Sequence, residues 1–202
     1  MKNLKKETIF ALSTPYGQSA VAIIRVSGNM CRIIAKKFCG VTKVFARKAK
    51  FTKFYDKKKK LIDTGIMIFF ESPSSFTGED MLEIQCHGSL SIINKILYEV
   101  SLFDNCRFAN PGEFSKRAFM NKKNSLLHYE GLANLIASES ENQRIIASKQ
   151  TFGESENICK IWRNKLLESI AVLDAAIDFT EENESFNVDQ IRKNLSLIIK
   201  KA

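Results

Sequence analysis

No residue from Gly112 to Ala202 is a proline, and this gap constrains the fold more than any other feature of the chain. Proline ends or kinks helices, so a run this long without one leaves helices free to continue. Apolar residues in this half recur at three- and four-residue steps. Leu126, Leu127, Leu132, Leu135 and Ile136 mark one face, and Ile158, Ile161, Trp162, Leu166, Ile170, Leu173 and Ile177 mark another. That spacing predicts one or two helices in a packed bundle, with a break allowed at Gly153. The acidic stretch Glu181, Glu182 and Glu184 interrupts it, and Val188 to Ala202 reads as a further amphipathic helix. Long helices with apolar stripes need partners, so the bundle is expected to be incomplete by itself.

Before residue 120 the pattern differs, with Pro15, Pro73 and Pro111 lying among short apolar runs and turn residues. Thr8 to Leu12 and Val21 to Val26 read as strands joined by the turn Thr14-Pro15-Tyr16-Gly17. Gly28 ends the second strand before a helical stretch from Asn29 to Phe38. Leu61 to Phe70 and Met81 to Cys86 are further strands. Leu90, Ile93, Leu97 and Val100 fall at helical spacing, Cys106 to Ala109 forms a short strand, and Glu113 begins a short helix. Strands interleaved with helices predict an α+β layer domain over residues 1–119, followed by a partial helical bundle over 120–202.

Charge is unevenly placed. Residues 1–60 hold 16 Lys and Arg against 2 Asp and Glu, whereas the remainder holds 15 against 20, within a formal net charge of +9. A cationic front segment suits an anionic partner such as nucleic acid, although solubility alone also accounts for it. The run Lys57 to Lys60 is most simply a solvated turn. Five cysteines without CxxC spacing fit reduced thiols, and the basic start lacks the apolar core of a signal peptide. With no run of eighteen apolar residues, the expected protein is soluble and cytoplasmic, with no membrane partner.

Several chemistries are missing from the pattern: no GxxxxGK[ST], no GxGxxG after a strand, no HExxH and no GxSxG. His87 and His128 belong to no metal-ligand cluster, and Cys86 and His87, as strand neighbours, point to opposite faces. No metal site and no catalytic residue is assigned. Two charges stand out instead. Arg25 follows the apolar run Val21-Ala22-Ile23-Ile24, and Glu83 is flanked by Met81, Leu82 and Ile84. On core strands each needs a partner. They could satisfy each other. Alternatively, the carboxylate could take adjacent N–H donors of a flat heterocycle, as guanine-like and pterin rings present them. The polar loop before Glu83 adds backbone N–H groups and the carboxylates of Glu79 and Asp80, and Lys122 and Lys123 stand at the entry to the helical half.

Three blocks resemble the tRNA-modification GTPase family MnmE, also called TrmE: TIFALSTPYGQSAVAIIRVSG at Thr8 to Gly28, SSFTGEDMLEIQCHG at Ser74 to Gly88, and RFANPGEFSKRAFMN at Arg107 to Asn121. The resemblance continues into EGLANLIAS at Glu130 to Ser138 and AAIDF at Ala175 to Phe179. It implies an amino-terminal domain of the folate-binding, aminomethyltransferase type that forms a homodimer and binds a tetrahydrofolate derivative, formyl- or methylene-tetrahydrofolate. It further implies action with the partner MnmG on the wobble uridine of tRNA, installing a carboxymethylaminomethyl or aminomethyl group. By motif match the family's folate contacts fall on Arg25, Glu83 and Lys123, which favours a ligand site over a mutual ion pair. The family's G domain, with its GTP, Mg and K, and its carboxyl-terminal CxGK motif are not in this sequence, so the chain alone is not expected to hydrolyse GTP. The rival reading is a basic module that binds tRNA or a protein partner without folate, motivated by the cationic front.

Overall fold

Alternation of apolar residues along short runs builds the first half of the chain, and helical capping residues divide the second. The computed structural model describes residues 7–178 and 188–199. Its contacts separate two units, Met1–Asn124 and Ser125–Ala202.

The first unit runs β1 (Thr8–Leu12), β2 (Ser19–Ser27), α1 (Cys31–Lys37), β3 (Lys50–Tyr55), β4 (Leu61–Phe70), β5 (Met81–Gly88), α2 (Leu90–Ser101), β6 (Cys106–Phe108) and α3 (Glu113–Met120). The strands form one mixed sheet in the order β3-β4-β5-β2-β1-β6, antiparallel except for the β1–β6 pair. One face is apolar and covered. Ala22, Ile24 and Val26 of β2, Leu82, Ile84 and Cys86 of β5, and Met67 and Phe69 of β4 are buried there with Ile34 of α1 and Ile93, Ile96 and Val100 of α2. The residues between them, Ile23, Arg25, Glu83 and Gln85, are only half-buried. An antiparallel sheet with helices on one side has this division by construction. It corrects the expectation that Arg25 and Glu83 stand inside an apolar core: they belong to the other face of the sheet.

Strand β3 was not legible in the sequence. Its residues KFTKFY bury one side chain fully, Phe54, while Phe51 is 70% exposed. It is the sheet's edge, where lysines discourage pairing with another strand, and they dilute the apolar signal. The Lys57–Lys60 run is the turn of the β3–β4 hairpin, with Asp56 accepting the Lys60 N–H at 2.8 Å.

In the second unit the sequence predicts one or two helices up to the acidic stretch, and the structure has three. These are α4 (Leu126–Ile136), α5 (Glu141–Thr151) and α6 (Glu154–Asp178), with α7 (Val188–Ile199) beyond. The divisions come from capping. Ser140 accepts the Gln143 N–H while the Gln143 side chain accepts the Ser140 N–H, a reciprocal cap that starts α5. Gly153, at φ +91°, separates α5 from α6. Ser125 caps α4 and donates to Glu156 at 2.7 Å, tying α4 to α6. Along α6, Ile161, Ile170, Leu173 and Ile177 stay exposed, as an incomplete bundle requires. Glu181, Glu182 and Glu184 lie outside the described residues.

Gly28 joins β2 to α1 at φ +133°, and a Cβ built there would stand 2.8 Å from the Thr8 Cα. Gly28→Ala is therefore expected to cost about 2–4 kcal/mol in urea denaturation. Gly40→Ala, at φ +63° with open space around it, should cost only about 1 kcal/mol. Equal losses at the two positions would contradict the close approach of β1 to the β2–α1 junction.

Candidate ligand site on the open face of the sheet

Antiparallel register puts Arg25 directly opposite Glu83, with Ala11 beyond Arg25 and Ile68 beyond Glu83 in the same cross-strand row. Residues facing each other in this way are close enough to pair, and they do. Arg25 Nε and Nη2 donate to Glu83 Oε1 at 3.1 and 2.8 Å. Their side chains retain 27% and 16% exposure. Both bonds use a single carboxylate oxygen. Among the described residues, Glu83 Oε2 and Arg25 Nη1 have no hydrogen-bond partner. The two charges thus pair with each other, as one of the two sequence alternatives has it, and the pair keeps one carboxylate oxygen and one guanidinium nitrogen without a partner.

Two aromatic rings hold the guanidinium. Phe76 lies 5.4 Å and Phe114 5.9 Å from Arg25 Cζ, measured to the ring centroids, in cation–π range. Phe76 sits in the loop of residues 71–80, and Phe114 on α3. The next row of the sheet, Ile9, Ser27 and Met81, is buried, because this loop covers it. Ser27 Oγ is 2.7 Å from Thr77 Oγ1, and the Thr77 N–H meets Met81 Sδ at 3.4 Å. Arg25 and Glu83 therefore stand at the margin where the cover ends.

The loop carries fewer free groups than its composition suggests. Glu79 accepts from Ser27 at 2.8 Å and from Arg117 at 3.0 Å. Asp80 accepts the Ser72 N–H at 2.9 Å and the Arg32 Nε at 3.3 Å, and Glu71 also pairs with Arg32. These carboxylates shape the loop. Asn121 Nδ2 donates to the Thr77 carbonyl at 2.7 Å, and Lys123 Nζ to the Pro73 carbonyl at 2.8 Å. Lys123 thus reaches the same loop that presents Phe76 to Arg25. Exposed, it keeps further N–H donors for a ligand. Arg25, Glu83 and Lys123 are linked through this loop, with contact only between the first two.

Helix α3 is anchored by charges that the sequence reading did not single out. Glu113, nearly buried, receives Arg107 Nη1 and Nη2 at 2.8 and 2.7 Å, Arg117 Nη2 at 3.2 Å and the Asn110 N–H at 2.9 Å. Hydrogen bonding to Arg107, helped by the Asn110 N–H and Arg117, pulls its carboxyl down to about 2. Buried thiols lie elsewhere in the unit, and burial pushes Cys86 up to about 11, away from nucleophilic use. Cys86 is buried and His87 exposed, and among the described residues no group of three His, Cys, Asp or Glu side chains could hold a metal. The arrangement can bind and orient a ligand.

Comparison with known proteins matches residues 8–123 to the family model described as the GTP-binding protein TrmE N-terminus, and residues 126–202 to the MnmE helical domain. The mitochondrial tRNA modification GTPase mss1 of Schizosaccharomyces pombe is 42% identical over 188 residues, which are 92% of this chain and 38% of that protein. The tRNA modification GTPase MnmE of Wolbachia sp. subsp. Drosophila simulans is 41% identical over 196 residues, 96% of this chain and 44% of the relative. That of Wolbachia pipientis subsp. Culex pipiens is 45% identical over 176 residues, 87% and 39% respectively. The chain spans about 40% of the length of the curated relatives it matches.

Because the folded-state pKa of Glu113 lies below its ordinary value of 4.5, its contribution to stability is complete above pH 4.5 and is lost as pH falls toward 2. The loss should be of order 3 kcal/mol, read from urea midpoints across that window. Glu113→Gln should flatten this acid limb, and an unchanged limb would show that the cluster does not anchor α3.

Proposed function

Because the chain belongs to the MnmE (TrmE) family, its two parts matching the amino-terminal and helical domains in turn, we propose that its first unit binds a tetrahydrofolate derivative at the Arg25–Glu83 pair. The observation that carries this reading is the one-oxygen ion pair. Glu83 Oε2 stands without a partner beside a carboxylate oxygen already fixed by Arg25. A carboxylate held in this way accepts N–H donors with little loss of rotamer entropy, as the amide and amino edge of a pterin supplies them. The fit is chemical: an acceptor for the ring edge, aromatic side chains beside it, and cations at Arg25 and Lys123 for carbonyl or carboxylate oxygens.

When bound, the folate would supply the one-carbon unit. The work of this chain is to hold it. Glu83 takes the heterocycle's donors, Arg25 keeps that carboxylate oriented, and Lys123 on the loop side supplies positive charge. Phe76 and Phe114 keep the guanidinium from swinging into water. Positioning of this kind serves a reaction completed by other groups.

The wider reading follows the family. The protein carrying this chain takes part, with MnmG and as a homodimer through its first unit, in aminomethyl or carboxymethylaminomethyl modification of the tRNA wobble uridine in the cytoplasm. GTP, with its Mg and K, belongs in this reading to a part of the protein outside these 202 residues. No described helix is long and apolar enough to cross a membrane.

Glu83→Ala is expected to weaken binding of formyltetrahydrofolate at least about a hundredfold by calorimetry, the effect of losing two charge-assisted hydrogen bonds. Because the pair keeps 27% and 16% exposure, leaving Arg25 without its partner should cost only about 1–2 kcal/mol of stability, with the fold retained. Unchanged affinity would overturn the site. Strong, salt-sensitive tRNA binding together with no folate binding by the native chain would favour the basic-module reading.

A further inference from the structure

A cavity of about 810 Å³ is lined by residues of α1, α2 and the β3–β4 hairpin. Its size suits a small organic ligand. Met30, Ile33, Phe38, Leu102 and Phe103 supply apolar lining, and Lys37, Lys57 and Lys59 also line it. None of these elements carries Arg25 or Glu83, so the cavity is separate from the site described above.

The charges around it are not equivalent. Glu99, 5% exposed, is used up: its Oε1 receives Lys95 Nζ at 2.8 Å and its Oε2 the Lys57 N–H at 3.1 Å. Asp56 is also occupied, accepting the Lys60 N–H at 2.8 Å with Lys95 Nζ at 3.9 Å. By contrast, among the described residues the ammonium groups of Lys37, Lys57 and Lys59 have no carboxylate within ion-pair distance. Only Asp104 remains as an unpaired acid in the lining. At the ends of α1 and α2 the carbonyls of Ile34, Glu99 and Val100 accept the N–H groups of Phe38, Cys39, Leu102 and Phe103. Three unpaired cations against one unpaired anion, over an apolar floor, favour an anionic head on an apolar body.

We infer that this cavity is a binding site for a small amphipathic anion, with a flat apolar body seated among Ile33, Phe38 and Phe103 and a phosphate or carboxylate group held by Lys37, Lys57 and Lys59. If the lysines are merely solvated and keep the hairpin soluble, there is no preference for an anionic head.

The test uses α-naphthyl phosphate and uncharged α-naphthol as probes, followed on the methyl resonances of Met30, Ile33 and Leu102 of the 202-residue chain. Because the signals are assigned, binding to the exposed stripe of α6 is read separately. The expected result is saturable shifts at these three methyls, with the phosphate bound at least about tenfold more tightly than the naphthol. Lys57→Ala combined with Lys59→Ala should remove that preference while leaving naphthol affinity within about twofold. Both lysines are exposed, so the variant should keep the native methyl spectrum. Shifts absent from these methyls, or a charge preference that survives the double variant, would overturn the proposal.

Discussion

One hydrogen-bonding choice organises the candidate site: Arg25 spends two N–H groups on a single oxygen of Glu83. A fork-to-fork pair would have given each oxygen a guanidinium donor and left neither without a partner. The end-on arrangement keeps the side chains oriented and one acceptor open. It is possible because the pair lies on the half-exposed face of the sheet, where water covers the cost that an orphaned oxygen would carry in a sealed core.

That position follows from how the open face is covered. The loop of residues 71–80 is laid over the row Ile9, Ser27 and Met81 by Thr77 and Glu79, and it stops one row short of Arg25 and Glu83. Helix α3 pins the loop through Arg117 and Asn121, while its own start is fixed by Glu113 and Arg107. Phe76 and Phe114 flank the guanidinium from these two supports. The carboxylates at residues 79 and 80, which look like ligand groups in the sequence, serve this scaffolding.

Much of this was legible beforehand, for identifiable reasons. Strands such as Leu61–Phe70 and the isolated charges Arg25 and Glu83 show in a one-dimensional pattern because alternation is local. Which face of the sheet is covered is not local. It depends on where α1 and α2 pack, so half-exposed charges were read as buried ones. Strand β3 was hidden because an edge strand needs few apolar residues and tolerates Lys50 and Lys53. The divisions between α4, α5 and α6 carried a readable signal, the Ser140 to Gln143 cap, which the apolar spacing overshadowed. Each bond of the Glu113–Arg107–Arg117 cluster joins residues six or fewer positions apart, yet nothing in their spacing distinguishes an anchored network from a solvated helix start.

The open face of the sheet and the cavity thus offer different chemistry, a carboxylate acceptor on one and unpaired lysines over an apolar floor in the other. The central claim concerns the first. It is tested most directly by a crystal structure of the chain grown with formyltetrahydrofolate. The account predicts that a pterin N–H lies within about 3.2 Å of Glu83 Oε2 while Arg25 keeps its bonds to Oε1. A folate bound elsewhere, with that oxygen still facing solvent, would contradict it.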